Sequence, residues 1–216
     1  MTLIIDDFRT GLGIAFRPNE NASVKLSVGE ALSLYYKFSV IPLILFIIVG
    51  YFALQGFSSM LASQTGMWAS FVQLAQPLAS HALTLMITIS IGFFWILLPI
   101  ALLVQAALYQ FVGGIFGKFK GGYSASLSAV VFAMLPNVLV AWLSFVPVLG
   151  FIIALFASVY GLYVLIVALE KQHKTTSGSA LAVWLVCGIA LMIIMFIVSS
   201  ILATLSLFSS ILKMGA

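Results

Sequence analysis

Eighty consecutive residues, 38–117, carry no Lys, Arg, Asp or Glu, and two further charge-free runs cover 121–169 and 175–212. A helix crossing the roughly 30 Å hydrocarbon core of a bilayer needs about 20 predominantly apolar residues. A charge at the centre of such a helix costs about 2.5–3.5 kcal/mol on insertion scales, which accounts for its exclusion from these runs. Barrel strands would instead show short alternating segments, so the runs predict helices. Composition agrees, with 63% hydrophobic and 6% charged residues among 216. An ordinary soluble domain is about 45–50% apolar and about 25% charged. These figures exclude a soluble enzyme, an RNA-binding module and a disordered tail. The lipid bilayer is the expected partner, with other membrane proteins or further copies of the chain as candidates, and nucleic acid is not.

Breakers divide the runs into five spans at about 38–57, 81–116, 124–146, 151–169 and 180–208. Residues 58–80 are weaker, with Ser58, Ser59, Ser63, Gln64, Gln73, Gln76 and Pro77 spread through them, and read as an outer connection with Trp68 as interfacial anchor. The turn 146–150 closes the third span and the polar stretch 170–178 reads as a loop. The predicted fold class is therefore an all-α, polytopic integral membrane protein. A short cytoplasmic, interfacial N-terminal segment (1–37) leads into a five-helix transmembrane domain (38–210).

The distribution of basic residues orients this scheme. With the N-terminus in the cytoplasm, the inner segments hold Arg9, Arg17, Lys25, Lys37, Lys118, Lys120, Lys171 and Lys174, eight of the nine basic residues. Only Lys213 falls outside, in the C-terminal tail. A sixth span at 58–80 would move Lys118 and Lys120 outside and destroy the pattern. The reading is a multi-pass protein of the cell membrane with its C-terminus outside, and no cleavable signal peptide is visible.

Near the N-terminus, LIIDDFRTGLGIAF (3–16) mixes apolar and charged residues as a short helix on the inner surface would. Ser27-Val28-Gly29-Glu30 matches a capping box and predicts a helix that starts there, continues into the first span and bends at Pro42. Residues 81–116 would form a helix of about 54 Å at 1.5 Å per residue, longer than the core, so it must tilt, kink at Pro99 or project beyond the core.

Ionisable groups inside spans flag proton relays and embedded catalysis, and no span interior holds one. His81 falls at the edge of the second span and His173 in the 170–178 loop. No Gly-rich phosphate loop with its lysine is present. No catalytic residues, cofactor or metal ligands are expected, and the chain reads as a non-enzyme. Cys187 lacks ligand partners and reads as a small apolar filler.

Uncharged polar residues remain. Gln105, Tyr109, Gly113 and Gly117 recur every four residues and share a helix face. Ala125, Ala129, Ala133, Asn137 and Ala141 do the same around Pro136, and Gly150, Ala154 and Ser158 follow, with Ala157 and Gly161 beside them. Two readings stand: a polar cavity lined by Gln105, Tyr109 and Asn137, or packing seams where small residues bring backbones together and amides bond between helices. The carbonyl freed by Pro136, near position 132, needs a partner that Asn137 or water could supply. In the turn 113–123, Lys118 and Lys120 are candidate contacts for anionic lipid or an acidic partner; they serve equally well as topology determinants.

The stretch 106–183 resembles the Yip1 domain family. The matching pieces read ALYQFVGGIFGKFKGGYSASLSAVVFAMLPNVL, VPVLGFIIALFASVYGLYVLIVALEKQH and SGSALAVW. They follow the family order of a Gly-rich basic turn, a span with a small-residue–Pro motif, a Pro/Gly hairpin, a Tyr-containing span, a polar loop and a final span. The N-terminal part is similar to the short cytoplasmic lead of prokaryotic members. Lys118, Gly121, Gly122 and Pro136 match the pattern, whereas Tyr109-Gln110 stands where a His is often found. The resemblance implies five spans with a cytoplasmic N-terminus. Eukaryotic relatives act in membrane traffic through Rab GTPases, using a long N-terminal region and acidic or Gly-Tyr motifs that this sequence lacks, so that role does not carry over. The expected function is a membrane-organising protein or accessory subunit of a larger assembly. The alternative is a passive carrier or channel for a lipid or small neutral solute along the Gln105/Tyr109/Asn137 face.

Overall fold

The computed structural model describes residues 2–62, 81–146 and 148–214, with side chains at all of these but 2–8, 57–62, 82, 198, 202, 203 and 205–214. Helix α1 (Thr2–Phe16) and the single turn α2 (Pro18–Asn21) precede α3 (Val28–Ala62). Helix α4 (Ala82–Ser90) passes through a π-helical stretch (Ile91–Leu97) into α5 (Leu98–Ile115). Helix α6 (Tyr123–Val140) ends in a 3-10 turn (Ala141–Phe145) and is followed by α7 (Leu149–His173) and α8 (Ser177–Met214). Among the described residues there is no strand. Five helical stretches are long and apolar enough to cross a membrane: Val28–Gly56, Leu83–Ile115, Tyr123–Phe145, Leu149–His173 and Ser177–Ile201. They match the five predicted spans in number and order. Residues 58–62, read from the sequence as the start of the outer connection, instead belong to α3, which runs to Ala62; the rest of that connection, 63–80 with Trp68, lies outside the described residues.

The predicted capping box starts α3. The Ser27 N–H donates to Glu30 Oε2 at 2.8 Å, and the Glu30 N–H donates to Ser27 Oγ at 3.3 Å. Two amides that lack an intrahelical partner are thereby satisfied. Ahead of it, α1 does more than lie on a surface: it packs on α3 and α6. Ile14 and Ala15 are buried, and Gly11 sits directly under the Phe38 ring. Any side chain at 11 would displace that ring.

Helix α6 is the hub, packing against α1, α3, α5 and α7. Its apolar window is 56% buried, against 12% for α8. The small residues singled out in the sequence explain its closeness to α7. Ala125 and Ala129 are fully buried, and a Cβ added at Gly161 would meet the Ala133 carbonyl oxygen at 2.7 Å. The two backbones touch at a point where only glycine fits.

The long second rod stays helical through Pro99, and its register slips ahead of the proline. The Leu98 N–H bonds back to Phe93 O, one residue further than in an α-helix, and Pro99 has no N–H to give. The carbonyls of Phe94 and Trp95 thus lose their ordinary donors. Two neighbouring tyrosines of α3 replace them: Tyr35 Oη donates to Phe94 O at 2.7 Å and Tyr36 Oη to Trp95 O at 3.2 Å. Tyr35 is fully buried, so without it the Phe94 carbonyl has no donor in an apolar interior.

At the far end of α7 the structure corrects the sequence reading. The helix continues through Glu170, Lys171, Gln172 and His173, leaving only residues 174–176 as the connection. Lys174 adopts a left-handed conformation (φ 52°, ψ 45°), and the Thr175 N–H closes the helix on Glu170 O at 3.0 Å. The polar side chains of 171–173 are there because they hold other elements. Lys171 bonds Asn19 O, and Gln172 Nε2 donates to Ala22 O at 3.2 Å. Likewise the turn 146–150 belongs partly to α7, whose first residues pack Gly150 against the Leu143 carbonyl.

The tyrosine pair gives a direct test. Tyr36→Phe should lower unfolding stability by about 1 kcal/mol in the native background. In a Pro99→Ala background, where an N–H is restored, the same change should cost close to nothing. A double-mutant cycle measured by denaturant titration in detergent reads the difference.

Candidate functional site

Two of the five candidate residues share a cleft, and a third braces one of them. Gln105 on α5 and Asn137 on α6 line one cleft of about 340 Å³, together with Ala133, Ser158, Gly161 and Trp184. Four helices thus supply its walls. Tyr109 does not reach the cleft: it is buried (3% exposed) behind Gln105, whose Nε2 donates to Tyr109 Oη at 2.9 Å. Ser158 Oγ donates to Asn137 Oδ1 at 3.0 Å. The Asn137 side chain therefore reaches across to α7 and not back to the carbonyl freed by Pro136. Among the described residues, the Asn137 amide N–H groups and the Gln105 carbonyl oxygen have no hydrogen-bond partner. The cleft is otherwise walled by apolar side chains such as Val130, Met134, Leu162 and Leu165. Such a surface suits an apolar ligand carrying a few hydrogen-bonding groups.

Lys118 and Lys120 stand apart. Both are exposed on the turn after α5. Lys118 borders a smaller depression of about 200 Å³ formed with Phe116, Ser179 and Val183, and Lys120 lines none of these clefts. The turn itself is shaped by glycine. Gly117 and Gly122 take positive φ (63° and 78°), where other residues are strained. Phe119 folds back onto Gly113 and stacks on the His173 ring, with centroids 4.1 Å apart.

His173 is the residue that sequence reasoning misplaced. It is buried (1% exposed) at the end of α7, not in a loop. The Gly121 N–H donates to its Nδ1 at 3.0 Å, and its Nε2 lies 3.1 Å from Ser126 Oγ. Ser126 Oγ in turn donates to Gln110 Oε1 at 3.1 Å. Because Nδ1 accepts, a neutral ring carries its proton on Nε2 and gives it to Ser126. A serine-activating base needs the reverse, an Nε2 free to accept. The pair is also sealed from outside, with Ser126 fully buried. The chain of bonds runs from the 121 backbone to Gln110 and ties α5, α6 and α7 together. Gln110 carries a partial signal, as a polar residue within an apolar run that needs a partner, whereas His173 is masked by the polar stretch 170–178 around it.

Among the described residues no three of His, Cys, Asp and Glu gather as a metal site would require. Cys187 is buried and free. Comparison with protein-family models, with characterised proteins and with solved structures finds no match to this chain.

Gly121 is the point most sensitive to substitution in this cluster. A Cβ there would meet the Gln172 carbonyl oxygen at 2.6 Å and His173 Nδ1 at 3.0 Å. Gly121→Ala should cost about 2–3 kcal/mol through overpacking and loss of the His173 bond. Gly178→Ala, in the first turn of α8 with open space around it, should be neutral or stabilising by up to about 1 kcal/mol. Unfolding midpoints of the two variants check the contrast.

Proposed function

We propose that this chain is a Yip1-like integral protein of the cell membrane, without catalytic chemistry of its own, that organises the bilayer by holding a neutral lipid in the cleft of Gln105, Asn137 and Ser158. The N-terminus is cytoplasmic and the C-terminus outside, as the placement of eight of nine basic residues favours. The observation that carries the reading is the cleft itself. Each of its polar residues lies within a helix apolar enough to cross a membrane, and amide groups left unpaired there need a partner. Lipid carbonyl or hydroxyl groups supply one, and the apolar walls accept the chain. In the carrier version of this reading, the same cleft would pass the lipid along.

Asn137→Leu removes the amide, and Ser158→Phe fills the space. Each should lower photocrosslinking of a diazirine-bearing neutral lipid to the cleft by about five- to tenfold, the worth of one to two intramembrane hydrogen bonds. A Lys118→Ala/Lys120→Ala control should be unchanged. Equal yields from wild type and both cleft variants would remove the lipid from this site.

A second reading, accessory subunit of a larger assembly, has its own support in α8. From 188 to 201 none of its described side chains is buried, whereas Ala180, Val183 and Cys187 are. The stretch 188–201 therefore has little to pack on among the described residues. In a Cys187→Ala background, a cysteine replacing Met192 should cross-link in native membranes to a second copy or to another protein. Recovery of monomer alone would leave that face to lipid.

A further inference from the structure

A separate cleft of about 660 Å³ lies between α1, the 21–26 connection and the first turns of α3. It is independent of the Gln105–Asn137 cleft and depends only on the membrane placement proposed above. We propose that it binds the phosphate of an anionic phospholipid headgroup, with the first acyl carbons against its apolar wall.

The charge is right for this ligand. Arg9 on α1 and Lys37 on α3 both line the cleft. The Gly11–Phe38 contact brings the two helices together one to two residues from each of them. Glu30 also borders the cleft, but its carboxylate is engaged by the Ser27 N–H at the helix start, and among the described lining residues two cations stand beside this one carboxylate. The depth is right as well. Lys37 is the last charge before the 80-residue apolar run, which sets Lys37 at the headgroup level and Phe38 at the edge of the hydrocarbon. The walls are mixed in the way a lipid requires: Ile14 and Leu34 are buried apolar surface and Ser33 adds a hydroxyl. A free phosphate would use the cations but gain nothing from the apolar wall.

The test places the whole chain in phosphatidylcholine nanodiscs with and without phosphatidylglycerol and reads retained lipid by native mass spectrometry. Wild type should retain phosphatidylglycerol selectively. Arg9→Gln/Lys37→Gln should lose that selectivity by about fivefold per charge removed, and Arg17→Gln/Lys174→Gln, removing the same charge at residues that do not line the cleft, should keep it. Equal loss in both pairs, or no loss in the first, overturns the proposal. A Ser33→Cys/Cys187→Ala chain keeps both cations and covers misfolding of the charge variants: phosphatidylglycerol should slow its maleimide labelling and inorganic phosphate should not. Slowing by both reagents alike, or by neither, rejects the lipid headgroup. Alkaline carbonate extraction of the same membranes reads insertion separately. A chain that washes out refutes the membrane reading, and one that stays without lipid selectivity refutes this proposal alone.

Discussion

The structure turns on the pairing of polar backbone groups inside apolar helices. Where no water competes, an unpaired carbonyl costs several kcal/mol. The chain creates such carbonyls in front of Pro99, where the helix slips into π register. It answers with Tyr35 and Tyr36, two adjacent residues on α3 whose hydroxyls reach Phe94 O and Trp95 O. The pairing fixes the height and rotation of α3 against the second rod. Since α3 and α5 both pack on α6, that fixed pair frames the bundle in which the cleft sits.

The other end of the molecule follows the same rule with side chains. The N-terminal segment runs over the ends of α6 and α7, and its backbone is bonded to them at several points. Asn19 O is met by Lys171, Ala22 O by Gln172, and the Leu26 N–H donates to Ser128 Oγ at 3.2 Å. Lys25 Nζ donates to Gly121 O at 2.6 Å, and the opposite face of that peptide region is held by His173. Irregular chain is tolerated here because several of its backbone groups are answered by the ends of the helices it crosses. The result joins α1 and the start of α3 to the bundle and shapes the cleft of Arg9 and Lys37.

Much of this was legible in the sequence, because apolar runs and charge placement are signals of helix number that need no tertiary knowledge. The Ser27–Glu30 capping box was readable for the same reason: it is local, with both partners within four residues. The glycine and alanine stripes foretold the α6–α7 contact. What could not be read was the set of partners far apart in the chain. Gln110, Ser126 and His173 are separated by 16 and 47 residues, and nothing in their local pattern joins them. Polarity at 170–173 was taken for a loop because solvent and tertiary bonds satisfy the same groups equally well. In the cleft, Gln105 and Asn137 were foreseen together, but Tyr109 was not separable from them by spacing. Its ring turns inward and braces Gln105.

The proposed lipid site requires a cleft that opens to hydrocarbon between helices lying in the bilayer. A nitroxide attached at Ser158→Cys in a Cys187→Ala background probes it directly by power-saturation spectroscopy in liposomes. Collisions with dissolved oxygen, which concentrates in hydrocarbon, should be frequent, and collisions with a water-soluble nickel chelate rare. Frequent collisions with the nickel chelate and few with oxygen would place the cleft in water and contradict the account.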